Sequence, residues 1–312
     1  MTNVTNMFQN ANVFDGYGRA DFDIDTAPLQ YFDANGSVRR ASKRIIFRTD
    51  TGAELGIHGD RYKPVAPKQM IDATRKIIMW SNLNTKDIEE TIATSHHGRR
   101  TFVKYKLPEH TYTTPDGDTA ALCLLAITSF DSKWPFMISV AAEQFACTNL
   151  QVFTTGEIAV YKSKHIQSLD IDHGSRVIVK ALDVVNEQQE QWHQWYNTHV
   201  TVSQAAKFIA SFTNTRNEFD ELYDAGCMSL PLNYGYQLKR NNTSVNYLCD
   251  AYKGYADRMG HNLWAMYNAL TDWSTHAKFS KRVNYDTIAS ARNDRQEKVR
   301  KFVTTNFGRL AA

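Results

Sequence analysis

The sequence predicts an α+β fold, with a largely antiparallel sheet in the N-terminal half followed by a helical C-terminal half. Two observations carry this. Up to residue 182, short runs rich in β-branched and aromatic residues succeed one another with turn signals between them, whereas a parallel sheet would alternate strands with helices. Beyond residue 182 the chain is rich in Gln, Glu, Ala, Trp and Tyr, with few turn residues and helical spacing of its apolar positions. The expected organisation is an irregular acidic arm over 1–37, a sheet-rich region with one or two helices over 38–182, and a helical region over 183–312.

The arm holds Asp15, Asp21, Asp23, Asp25 and Asp33. Residues 38–48 then read as a strand with five basic side chains (Arg39, Arg40, Lys43, Arg44 and Arg48) and no acid. Residues 67–80 form the clearest helix of this half. Pro67 suits a first helical turn, and Met70, Ile71, Thr74, Ile77 and Ile78 share a face. A short helix is expected over 85–93, with Asp87, Glu89 and Glu90 near its positive N-terminal end. Strands are expected over 99–107, 120–129, 136–141, 157–162 and 176–181, the first two separated by the turn residues Pro115, Asp116 and Gly117. Helices follow over 183–213, 217–225 closed by Gly226, 245–259 closed by Gly260, 263–279 and 286–304. Leu263, Met266, Tyr267, Leu270, Trp273 and Ala277 fall on one face of the fourth of these, a core or interface stripe.

Composition bounds the function classes. With 36 Lys and Arg against 33 Asp and Glu the net charge is +3, far from the balance of a chromatin protein or of an acidic DNA mimic. Hydrophobic residues at 42% and aromatics at 12% exclude a disordered chain. The longest apolar run, 120–127, is far short of the roughly 20 residues of a membrane span. The first ten residues lack the basic and apolar regions of a signal peptide, and four scattered cysteines without a C-x-x-C pair suit a reducing compartment. The expectation is a cytoplasmic protein without disulfides or cofactor, either monomeric or a homo-oligomer.

No phosphate loop, dinucleotide fingerprint, nucleophile elbow or H-E-x-x-H is present. Asp170, Asp172 and His173 place three metal-ligand types in four residues, and on an extended strand the two carboxylates would share a face. The competing reading is a polar turn closed by Gly174. His96 and His97 would point opposite ways on a strand, which suits a solvated loop better than a metal clip.

The strand expected over 99–107 carries the strongest functional signal. A period of two puts Thr101, Val103, Tyr105 and Leu107 on a core face, and Arg100, Phe102, Lys104 and Lys106 on the other, with Arg99 at its start. A ring flanked by cations on an exposed sheet face suits single-stranded nucleic acid, whose bases stack and whose phosphates attract cations. Arg39, Arg40, Lys43 and Arg44 are expected to widen the patch if their strand joins the same sheet, with Lys162 and Lys164 as further candidates. The competing reading is an ordinary solvated strand whose lysines protect it from aggregation.

At two places the chain resembles a family of phage/plasmid-like proteins of unknown function. One is Phe145-Ala-Cys-Thr-Asn-Leu150 with His165 following, where Cys147, Asn149 and His165 match the family pattern, Leu150 replaces its usual Thr and Gln144 stands where Arg is common. The other is the segment 262–276, where Asn268, Ala269, Thr271, Trp273 and His276 match a C-terminal Asn-Ala-x-Thr helix. The resemblance spans roughly residues 40–300 and implies a mobile-element origin. Its sheet-then-helices order is loosely similar to single-strand-annealing recombination proteins. The leading expectation is therefore a phage- or plasmid-encoded protein that binds single-stranded DNA, without chemistry of its own. A metal-dependent enzyme acting on nucleic acid through Asp170, Asp172 and His173 is the alternative, and a host-directed interaction factor is the third.

Overall fold

A computed structural model describes residues 16–81, 83–144, 150–152, 161–163, 170–226, 231–238 and 242–307. It holds two antiparallel sheets and a helical layer. The first sheet has three strands, β1 (Ile24–Phe32), β2 (Val38–Arg48) and β3 (Glu54–Gly59), with β2 central. The second has β4 (Glu89–Ser95), β5 (Arg100–Thr113), β6 (Thr119–Ser129), β7 (Phe136–Gln144) and β8 (Leu150–Val152) in that order, and β9 (Tyr161–Ser163) also pairs with β7. Helix α1 (Pro67–Trp80) separates the sheets in sequence. The C-terminal half comprises α2 (Ile171–Asn197), α3 (Val202–Phe212), α4 (Arg216–Asp224), α5 (Thr243–Met259), α6 (Leu263–His276) and α7 (Ile288–Asn306). The α+β class and the antiparallel sheet are as expected.

Several elements differ from expectation. β3 is a strand where none was expected, and of the strand expected over 157–162, residues 157–160 lie outside the described residues while 161–162 belong to β9. Residues 24–32 lie in a strand, not in an irregular arm; Pro28 and the aspartates Asp21, Asp23, Asp25 and Asp33 obscured a largely apolar run, and what holds β1 is its pairing with β2. Its Pro28 sits on an edge strand, where a missing N–H is tolerated. The segment expected as a short helix over 85–93 turns and then becomes β4, in continuous register with β5 from Glu89–Lys106 to Ser95–Arg100. Residues 176–181, expected as a strand, lie inside the 27-residue α2. There the strong N-cap at Asp170 and burial of Ile178 override the β preference of Val177, Ile178 and Val179.

One core joins the second sheet to the helices. Val103, Tyr105, Leu107, Leu122, Leu124, Ile138 and Val140 face Met70, Ile71, Ile77 and Ile78 of α1 and continue into an aromatic centre of Trp192, Trp195, Trp264 and Tyr267. The turn between β5 and β6 is tied to α6, as the Trp264 indole N–H donates to the Asp116 carboxylate at 2.9 Å. Cys123 and Cys249 are free, buried thiols, each pushed up to about 12 by burial. No helix among the described residues is long and apolar enough to cross a membrane.

The first sheet docks on the end of β6. Phe22, Ile46, Leu55 and Phe130 form a separate small core. Gly56 lies so close to the Phe130 backbone that a β-carbon there would overlap its carbonyl oxygen. His58 Nε2–H donates to that same carbonyl, and the His58 ring stacks on Tyr62 at 3.8 Å.

Candidate nucleic-acid interface

The alternation expected for β5 holds. Thr101, Val103, Tyr105 and Leu107 are buried, and Arg100, Phe102, Lys104 and Lys106 project from the opposite face, away from the helices. That face is not the exposed positive surface expected, because Lys106 is itself buried, at 8% exposure, and each cation meets a carboxylate. Lys104 and Lys106 converge on Glu143 of β7, Lys106 Nζ at 3.1 Å, and Lys106 also lies 3.9 Å from Glu89. Arg100 pairs with Asp131 at 2.7 Å and donates to Ser290 Oγ at 2.5 Å. Burial works to raise the Asp131 carboxyl, but the Arg100 guanidinium outweighs it and holds that group below its ordinary value. Arg99 reaches the Glu54 carbonyl at 3.0 Å and its carboxylate at 3.6 Å. Phe102 is half-buried, edge-on to Trp134 at 5.4 Å. Apart from Glu89, these charges arrive from strands and turns 30–45 residues away in sequence, so alternation along β5 alone does not reveal them.

The basic strand β2 lies in the other sheet, so it does not widen the β5 face as expected. It presents a different surface. β3 pairs only with Lys43 to Phe47, so Val38 to Ser42 are bonded to β1 alone and project with it as a two-stranded ribbon. Five residues of strand span about 17 Å. The tip is a tight turn built on Asp33, whose carboxylate accepts from the N–H groups of Asn35 at 2.9 Å and Ser37 at 3.0 Å, with Gly36 at φ 74°. Across the ribbon Phe32 is paired with Val38 and Gln30 with Arg40, which puts these four on one face; Tyr31 and Arg39 form a pair on the other.

Phe32 is 76% exposed, Val38 56% and Tyr31 55%, which makes this a concentrated apolar exposure. Two cations beside it have local hydrogen-bond partners. Arg39 pairs with Asp33 at 2.8 Å, holding that carboxyl below its ordinary value, and Arg44 donates to Thr26 Oγ1 at 2.7 Å. Arg40 and Lys43 are exposed and meet no carboxylate among the described residues. The ribbon thus combines free rings with free cations, which β5 does not. The sequence signal for it was the acid-free basic run; Tyr31 and Phe32 were missed because they lie in the stretch read as an arm.

The remaining sequence candidates fall elsewhere. Asp170 is the N-cap of α2, its carboxylate accepting from the His173 N–H at 2.8 Å, so the extended geometry needed for two ligands on one face is absent. Asp172 lies in the first turn of the same helix. No group of three His, Cys, Asp or Glu side chains suited to a metal occurs among the described residues. His96 and His97 form a tight turn between β4 and β5. Lys162 lies in β9, while Lys164, Cys147, Asn149 and His165 lie outside the described residues. In α6, the Asn268 amide donates to the Trp264 carbonyl and the Thr271 hydroxyl to the Tyr267 carbonyl, so two of the matched motif residues serve the helix itself.

No curated protein and no solved structure matches this chain. Residues 54–302 match the model of a protein family described as a domain of unknown function, DUF932. The match runs from the start of β3 into the last turns of α7 and leaves the β1–β2 ribbon ahead of it. It takes in well over half of the sequence, and the chain belongs to the DUF932 family.

Proposed function

We propose that the protein binds single-stranded DNA through the tip of the β1–β2 ribbon, as a DNA-metabolism factor of phage or plasmid origin that promotes annealing and makes or breaks no covalent bond. The observation that carries this reading is the exposed Phe32 ring on the same ribbon face as Arg40, with Tyr31 on the opposite face and Lys43 at the ribbon's root, neither cation neutralised by a carboxylate among the described residues. Unpaired bases offer faces on which rings stack, and phosphates draw the cations. In a duplex those faces are already stacked, so the same tip favours single strands.

The test is a fluorescence-anisotropy titration of a labelled single strand and the matching duplex at two salt concentrations. The single strand binds more tightly, and its affinity falls as salt rises. Phe32→Ala weakens binding by about 1–3 kcal/mol and leaves the salt slope unchanged. Arg40→Gln combined with Lys43→Gln lowers the log–log slope by about 1.4, at roughly 0.7 per phosphate contact. Absence of binding at low salt refutes the proposal. Loss of binding in Phe102→Ala or Lys104→Gln, with the ribbon variants silent, moves the interface to β5.

A further inference from the structure

The turn between β4 and β5 has a strained backbone. His96 and His97 have φ of 55° and 60°, and Gly98 follows at 96°. Left-handed φ at non-glycine residues is unfavourable and persists only where the surroundings impose it. Here Asp286, just ahead of α7, imposes it. Its carbonyl accepts from the His96 N–H at 3.0 Å, and its carboxylate oxygens from the His97 N–H at 2.9 and 3.0 Å.

The clamped turn walls a cavity of about 330 Å³ whose lining includes Arg19, Arg48, Thr51, Thr94, His97 and Asp286. Three features of the lining are unspent. Thr94 lines the cavity, and its hydroxyl has no hydrogen-bond partner among the described residues. A hydroxyl facing the cavity is placed to donate to a ligand oxygen. Arg19 meets no carboxylate among the described residues and touches the Tyr285 carbonyl only at 3.5 Å. Arg48 gives Nε and Nη2 to Asp50, donates one Nη1–H to the His97 carbonyl at 3.4 Å and lies 4.0 Å over the Phe22 ring, which leaves the second Nη1–H. The Arg19 guanidinium also lies 4.1 Å from the ring centre of Tyr285, a side chain 75% exposed, so the other face of that ring is open. The Asp286 carboxylate, the one acid in the lining, is already turned to the His97 N–H.

We infer that this cavity binds a nucleoside monophosphate. The phosphate sits between Arg19 and Arg48 Nη1, an oxygen of the ligand accepts from Thr94, and the base stacks on the open face of Tyr285. The volume is at the small end for ligand sites, as one nucleotide requires. The site is independent of the ribbon tip. Arg40 and Arg48 are at opposite ends of β2, about 26 Å apart along the strand.

Isothermal titration with AMP, adenosine and inorganic phosphate tests this. AMP saturates at one molecule per chain, and adenosine and phosphate each bind about tenfold or more weakly. Arg19→Gln, at an exposed position, weakens AMP about tenfold with no change in thermal midpoint, and Thr94→Val acts in the same direction. The ribbon variants Arg40→Gln and Lys43→Gln leave AMP binding unchanged, which separates the two sites. No saturation by about 5 mM AMP, beyond the weak end of specific affinity, overturns the inference. So does an Arg19→Gln variant that binds AMP like the wild type, or phosphate binding as tight as that of AMP.

Discussion

Glu90→Gln should lower the stability of the whole fold by about 3–5 kcal/mol, because it leaves a charge buried without its counter-charge. Arg75 of α1 and Glu90 of β4 are 8% and 5% exposed at their side chains. They meet through two parallel bonds, Nε to Oε1 at 2.9 Å and Nη2 to Oε2 at 2.6 Å. Once Glu90 is neutral, the guanidinium retains the Gly16 carbonyl at 2.8 Å and Asp72 at 3.6 Å, and Asp72 is largely in solvent, where its attraction is screened. For a chain of this size each kcal/mol moves the thermal midpoint by about 2–4 °C, so the expected fall is roughly 6–20 °C. Urea denaturation followed by tryptophan fluorescence reads the same change. The control is the surface pair Lys86–Glu109, 3.9 Å apart and 70% and 36% exposed, where Glu109→Gln should stay within about 0.5 kcal/mol. Replacing both buried partners, Arg75→Met with Glu90→Leu, should recover most of the loss, since neither charge then needs compensation. A loss below about 1 kcal/mol for Glu90→Gln, or a double variant worse than the single one, would refute the argument.

Gly56→Ala should cost about 1–3 kcal/mol and loosen the first sheet, because the new methyl group meets the Phe130 backbone and not a yielding side chain; amide exchange in β3 that rises ahead of exchange in β6 is the signature. Val103→Ala should lower stability by about 1–3 kcal/mol through lost burial, with DNA affinity per folded molecule unchanged, as measured by melting and anisotropy on the same sample. Burial, reinforced by Arg100, depresses the His96 imidazolium pKa below its ordinary 6.5. The unfolded chain therefore takes up this proton first, so the contribution is complete above about 6.5 and is lost as pH falls below it toward the depressed folded value. Stability should decline less steeply on acidification in His96→Asn, which tolerates the left-handed backbone; equal slopes would count against the assignment.

What was legible in the sequence is what local physics decides. Pro67 and a five-position face set the bounds of α1, and the period of two in β5 found its core face, Thr101, Val103, Tyr105 and Leu107, while Lys106 of the opposite face is buried too. The errors share a cause. Glu90 and its neighbours look like the acidic first turn of a helix, but Glu90 is a strand residue whose reason for being there, Arg75, is 15 positions upstream and on another element. Ile24–Phe32 has the apolar content of a strand, but Pro28 and the aspartates in and around it read as irregular, and the ladder that holds it comes from β2, later in the chain. The cations of β5 were readable as a stripe, but Glu143 and Asp131, which cancel them, are visible only once β7 and the β6–β7 turn have folded back. The basic run of β2 was also readable, although its separation into another sheet depends on where β3 stops pairing.

That stopping point has a mechanical consequence. β2 is bonded on both sides through Lys43–Phe47 and on one side through Val38–Ser42, and its pairing with β1 slips between Pro28 and Gln30, close to the transition. The ribbon is therefore a cantilever with a stiff clamped root and a compliant length, and bending concentrates where the second neighbour ends and the ladder is irregular. Its tip, laced by the Asp33 turn, swings as a unit without deforming. An arm hinged in this way follows a flexible polymer through changes of local curvature, and its thermal sweep enlarges the volume in which a first contact forms.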